Sequence, residues 1–144
     1  MAVNKVVVHH KDGRIMKGTT IDFFPQGSVF RLTAGEISDG PTQEILVDGC
    51  KAVFFVKSLM GCEGYDEIKD FAEPVQSGKR IKAVFDDGEA MYGYTHALNF
   101  DYPGFFLFPA DPNANNDRVF IVFSSLAELE MNDTPLDLAA ARRG

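Results

Sequence analysis

DGRIMKGTT (12–20) returns 75 residues later as DGEAMYGYT (87–95), with Asp, Gly, Met, Gly and Thr held at five of nine positions. Chance does not place two glycines, a methionine and a threonine at one constant offset, so an internal repeat organises this chain. The flanks extend the match. Upstream, KVVVHHKDG (5–13) lies over RIKAVFDDG (80–88), which sets Val6, Val8 and His10 over Ile81, Ala83 and Phe85. Downstream, a one-residue insertion is placed before SVFRL (28–32), which then lies over GFFLF (104–108), and EILVDGCKAVFFV (44–56) lies over FIVFSSLAELEMN (120–132). Cys50 meets Leu126 and Val53 meets Leu129 in that pairing.

Each copy reads as short strands. An apolar run enters an Asp-Gly turn and leaves into a second strand interrupted by Gly18 or Gly93, where glycine signals a bend or a close backbone approach. Strands at 28–33 and 104–109, at 44–48 and 118–123, and at 51–57 and 126–131 bring each copy to five. The expected fold is all-β: two tandem five-stranded SH3-like or Sm-like barrels at 1–57 and 80–131. Units so small are marginal alone, so the copies should pack together, with KAVFFVK (51–57) as the apolar contribution. Between them, 58–79 reads as a linker in which YDEIKDFAE makes a short helix ended by Pro74. In the tail, 132–144, Thr134 as N-cap and Pro135 at the first helical position predict a short C-terminal helix or a frayed end.

Composition narrows the class. Of 144 residues, 45% are hydrophobic and 12% aromatic, enough for a buried core. No apolar run has membrane-spanning length and the start lacks a signal peptide's apolar stretch, so a cytoplasmic, membrane-free protein is expected. The formal charge of −7, from 21 acids against 14 bases, repels a phosphate backbone unless the bases cluster. Cys50 and Cys62 lack any CxxC companion and read as free thiols, one buried and one in the linker.

His9 and His10 are adjacent in a strand and so face opposite sides, which prevents them from chelating one ion; their counterparts are Val84 and Phe85. The loop DPNANND (111–117) alternates oxygen ligands as calcium loops do, but Asn116 stands in place of the glycine and Val122 in place of the bidentate glutamate. Asp86 and Asp87 read as a solvated hairpin tip, and His96 stands alone. With no GxSxG, phosphate loop or GxGxxG after a strand, no catalytic residue, metal or cofactor is assigned. The aromatic runs FFP (23–25) and YPGFFLF (102–108) exceed what one face of a small barrel uses, which points to contact surfaces, either between the two barrels or toward an external partner.

At KGTTIDFFPQGSVF and GFFLFPADPNANNDRVFIV the chain resembles an uncharacterised family of small bacterial proteins carrying KGTTxDFxP and PGFFLFPADPxxNNxRVF. The resemblance implies a stand-alone or appended bacterial accessory domain and no particular activity. More coarsely, each copy looks like an Sm barrel, a family that binds RNA through an Asp and an Asn near its second and third strands and a basic residue with glycine before its fifth. Here the sixth residue after Gly18 is Phe24, and the turns before the fifth strands are Asp48-Gly49 and Ser124-Ser125. The RxxxR and D/NxSxxG patterns of PilZ-type cyclic-dinucleotide binders are absent as well.

The expected role is a non-catalytic binding or scaffolding module with a protein partner, self-association being open. An RNA-binding Sm-like protein without the usual nucleotide-reading residues is the alternative. Loops at barrel ends carry partner contacts, so the expected surface combines Phe24, Pro25, Asp101, Tyr102 and Pro103 with Asn115, Asn116 and Arg118.

Overall fold

The computed structural model describes residues 3–35, 40–57, 78–96, 98–109 and 116–138. Its first copy contains β1 (Asn4–His10), β2 (Ile15–Thr20), β3 (Val29–Ala34), β4 (Thr42–Leu46) and β5 (Cys50–Val56). The second contains β6 (Lys79–Phe85), β7 (Ala90–Thr95), β8 (Gly104–Pro109), β9 (Asn116–Val122) and β10 (Leu126–Met131), followed by the stub β11 (Thr134–Pro135). All ladders are antiparallel and join into one open sheet ordered β11-β10-β6-β7-β8-β9-β5-β1-β2-β3-β4. No described helix is long and apolar enough to cross a membrane.

The repeat is visible atom by atom. In both copies the first hairpin closes around a type I turn with glycine at positive φ, Gly13 at 93° and Gly88 at 91°. The Gly13 amide donates to the His10 carbonyl and the Gly88 amide to the Phe85 carbonyl. Asp12 and Asp87 each accept from the amide two residues on, at 3.0 Å. Gly18 pairs with both Val6 and Ala34, and Gly93 with both Ile81 and Pro109. A Cβ at either glycine would overlap a backbone carbonyl oxygen, that of Thr33 or of Phe108. The second strand can therefore belong to two ladders only because it carries glycine there.

Register corrects two sequence expectations. Val29 pairs with Leu46 where Gly104 pairs with Val122, so the offset stays at 75 through the third strand and becomes 76 only in the fourth. The extra residue thus lies between β8 and β9 rather than before β8, and Phe30 and Leu32 match Phe105 and Leu107, all buried. A one-residue error turns a strand inside out, and burial decides the phase. The second correction is in the tail: Thr134 and Pro135 pair with Met131 and Glu130 as a strand and do not start a helix. Asn132 and Asp133 take φ of 50° and 67°, the conformation of a two-residue hairpin turn, which outcompetes the N-cap reading of Thr134. Leu136 and Leu138 then return to the core. The expected linker helix falls in residues 58–77, outside the described residues, as does Cys62.

Two apolar cores form, and each takes side chains from both copies. Ala52, Phe54 and Val56 of β5 join Ile81, Ala83, Phe85, Val119 and Ile121 in the core of the second copy. Phe120 and Val122 of β9 join Val6, Val8, Phe30, Val53 and Phe55 in the core of the first. Strands β5 and β9 lie side by side, with Ala52 opposite Ile121 and Val53 opposite Phe120. Each therefore faces its own core on one side and the other copy's core on the opposite side. Burying a residue of this kind gains about 1.5–3 kcal/mol, so Phe54, Val56, Phe120 and Val122 together approach the ~5–15 kcal/mol net stability of a whole domain. The boundary between repeats is real in sequence and absent from the packing.

Candidate functional site

The seam between copies positions most of the expected surface. Thr20 and Asp22 start a turn in which the Asp22 carboxylate accepts from the Arg31 amide at 2.9 Å, and this aims Phe23 and Phe24 in opposite directions. Phe23 turns inward and meets Phe30, Phe55, Phe106 and Phe120 edge-on, with centroids 4.9–6.0 Å apart. Edge-to-face rings at this spacing attract one another beyond their area burial. Phe24 turns outward and is 61% exposed.

Beside this cluster a pocket of about 270 Å³ opens between the copies, lined by Pro25 from the first and by Thr95, His96, Tyr102, Phe105 and Phe106 among others from the second. Tyr102 is held at its rim by its amide's bond to the Asn99 carbonyl, and Asn99 Oδ1 accepts from the Asp101 amide at 2.9 Å. The Thr95 hydroxyl donates to the Phe106 carbonyl at 2.9 Å. What this pocket presents to a visitor is mainly ring surface. A partner's apolar side chain fits it better than a charged group does.

Among the predicted site residues, the structure brings Pro25 and Tyr102 to one pocket, with Phe24 exposed and one residue from Pro25, and places Asp101 exposed beside Tyr102. Pro103 contributes its carbonyl to the Phe123 amide, so its role is to seat the turn before β10. Arg118 is not in a loop: it lies in β9 with its guanidinium 4.4 Å from the Phe55 ring centre and 5.2 Å from that of Phe106. It covers the aromatic cluster, since a planar cation favours ring faces. The Asn116 backbone, in β9, pairs with Val56 of β5, and Asn115, like the rest of 111–115 in the DPNANND loop, lies outside the described residues. Sequence reading missed Phe23 as the hub and Thr95 and His96 as pocket walls. Alternation through Phe23-Phe24 was the available signal for the first; none existed for His96, whose counterpart at the corrected offset of 75 is Ile21.

A second cleft, about 310 Å³, runs past the hairpin of the second copy and is lined by Lys11, Lys51, Phe85, Asp86, Asp87 and Ser125. Lys51, at the irregularity where β5 meets β1, reaches Asp87 and Glu89 at 2.7 Å each and lies 4.6 Å from the Phe85 ring centre. Burial alone would lower the Lys51 pKa, but its bonds to Asp87 and Glu89 outweigh this and raise it above the ordinary value. The bond from Lys51 in turn lowers the Asp87 pKa. The Asp86-Asp87 tip is thus half anchored rather than merely solvated. The Asp87 charge is paired with Lys51 of the other copy, which ties the hairpin to the joint.

The histidines complete the seam. His9 lies 4.5 Å from Phe54, centre to centre, on the side of the second copy, while His10 Nε2 lies 3.2 Å from Met16 Sδ on the other. Burial lowers both pKa values, helped by Lys51 for His9 and by Arg14 for His10. Burial pushes the Cys50 thiol up to about 11, where it is inert as a nucleophile. Among the described residues no group of three His, Cys, Asp or Glu side chains could hold a metal ion.

Comparison with known proteins matches a family model over residues 2–132, which covers both repeats and the strands they share. The chain belongs to DUF6982, a family of unknown function. The DUF6982 match stops at Asn132, in the turn that leads into β11, so the matched region includes the whole seam. No curated protein and no solved structure matches the chain.

Proposed function

We propose that this protein is a non-catalytic binding module in which two SH3-like or Sm-like units are fused through a shared pair of strands, and that the seam between them takes a protein partner. Each copy has the ladder order fifth-first-second-third-fourth, with a glycine-bent second strand and a one-turn 3-10 segment before the fifth, which supports the small-barrel reading. The observation that carries the partner reading is the apolar pocket where Pro25 and Tyr102 meet, flanked by the outward ring of Phe24. A solvent-facing phenylalanine beside an open pocket lined by rings is the arrangement of a contact surface.

The test is affinity capture from native lysate, divided into nuclease-treated and untreated halves, with the intact chain and the double variant Phe24→Ser, Tyr102→Ser. The expected result is a protein that stays bound after nuclease and is lost from the variant while the variant's melting temperature is unchanged. Enriched RNA that disappears on nuclease treatment would overturn this reading in favour of nucleic acid, and loss of folding in the variant would show both rings to be core.

A further inference from the structure

The fused joint supplies a template for a surface that the molecule leaves open. In the second copy, β5 adds to the outer edge of β9, and Lys51 at its start reaches across to Asp87 and Glu89 of the β6–β7 hairpin. The first copy has the same parts in the same places: β4 corresponds to β9, and the β1–β2 hairpin to β6–β7. Yet among the described residues no strand pairs with the outer edge of β4. A groove of about 420 Å³ runs between this hairpin and β4, with His10, Met16 and Ile45 in its wall where the second copy has Phe85, Met91 and Ile121. We propose that the outer edge of β4 takes an extended segment of a partner protein with alternating apolar side chains, added as an antiparallel strand in the register that β5 adopts on β9.

The backbone identifies the groups on offer. The Val47 amide donates to the Ser28 carbonyl and the Ala34 amide to the Pro41 carbonyl, so both ends of the β3–β4 ladder are hydrogen-bonded pairs. Strict alternation between them turns the amides and carbonyls of Thr42 and Glu44 and the amide of Leu46 outward, while the Leu46 carbonyl already accepts from the Cys50 thiol at 3.4 Å. An edge of this kind is a ready acceptor for strand addition. Leu46, 62% exposed, lies directly opposite half-exposed Val29 and gives the guest an apolar contact on the face away from Ile45. At the position of Lys51 the guest would meet Arg14 rather than Glu89, already paired to Asp12 at 2.8 Å, so no cation is needed there.

A second copy of this chain does not fit. The strand equivalent to β5 is β10, and the same register would set Glu128 against Ile45, Leu129 against Glu44 and Glu130 against Gln43, in place of Ala52, Val53 and Phe54 against β9. That drives two carboxylates toward an apolar wall, and β11 already occupies the β10 edge at Glu130 and Met131. Two β4 strands paired about a twofold axis at Glu44 would put like charges opposite each other. The surface is distinct from the aromatic pocket of the seam.

The probe is a fluorescein-labelled peptide with the sequence of residues 48–57 and serine for Cys50, titrated into the full chain by anisotropy, with a scrambled peptide as control. Amide hydrogen exchange is followed in parallel. The expected result is saturable binding, new protection at Thr42, Glu44 and Leu46 but not along β10, and affinity about tenfold weaker for Glu44→Pro, which removes an outward amide and spares the β3 ladder. Phe24→Ser, Tyr102→Ser should bind the peptide unchanged, which separates this surface from the seam. No binding, equal binding to Glu44→Pro with no protection of β4, or protection of those three amides in the free chain would each overturn the proposal. Dimerisation of the free chain that Glu44→Pro abolishes would assign the edge to a second copy instead. The protection measurement stands even where Glu44→Pro does not fold.

Discussion

Phe120 and Glu44 occupy the same place in the two repeats, and nothing in their strands' geometry distinguishes them. Phe120 is fully buried because β5 of the other copy lies alongside β9; Glu44 is exposed because nothing described lies alongside β4. Lys51 and Ala127 differ in the same way, one clamped to a hairpin across the joint and the other exposed. One plan thus serves as an interior joint in one copy and as an edge in the other. The side chains at the joint positions, rather than the strand pattern, decide which it becomes.

The comparison breaks most visibly at its centre. Phe120→Ala should cost about 3–5 kcal/mol in denaturant unfolding, while Glu44→Ala at the equivalent edge position stays within roughly 0.5 kcal/mol. Hydrogen exchange should show that Phe120→Ala loosens β1 and β3 of the first copy, although the residue belongs to the second. Next come the two bend glycines. Gly18→Ala and Gly93→Ala should each cost about 1–3 kcal/mol, since both force a methyl against a backbone carbonyl; a large inequality between them would mean that the two bends are not equivalent.

Smaller effects sharpen the contrast. Lys51→Met should cost on the order of 1 kcal/mol in thermal or denaturant unfolding, because Asp87 and Glu89 are partly solvated and water replaces the lost cation. Ala127→Ser, its counterpart, should change nothing measurable. The sign with pH follows from the two partners. The Asp87 pKa is lowered by Lys51, so its contribution is present above the ordinary carboxylate range and lost as pH falls through it. The Lys51 pKa is raised, so its contribution persists to alkaline pH and is lost only above the ordinary lysine range. Smallest is the histidine limb. Both histidine pKa values are lowered in the folded chain, so protons favour the unfolded chain and stability declines as pH falls below about 6.5. His10→Phe, which installs the residue of the other copy, should shrink that limb in melts between about pH 7.5 and 5 and leave the part that His9 contributes.

Much of this fold is legible in the chain because its signals are local and doubled. The Asp-Gly turns, the bend glycines and the buried series Val6, Val8, Ile81, Ala83 follow from patterns that repeat. The phase of the third strand was not legible: SVFRL and GFFLF are apolar throughout much of their length, so either register satisfies the pattern until burial selects one. Thr134-Pro135 failed for a different reason, since an N-cap signal and a hairpin turn at Asn132-Asp133 compete and only tertiary packing of Leu136 and Leu138 decides. In the seam, Pro25 and Tyr102 were legible as loop residues but their meeting was not. Contact between residues far apart in the chain follows from the β5–β9 joint; the apolar run KAVFFVK announces packing between the copies but not its partner strand.

That joint is best tested by cutting it. Residues 1–57 and 78–144, each expressed alone, would be compared with the intact chain by amide proton spectra and denaturant unfolding. Two strands that each belong to both cores require that neither fragment folds alone and that the intact chain unfolds in one cooperative step. A dispersed spectrum and a cooperative transition from either fragment alone would contradict the account.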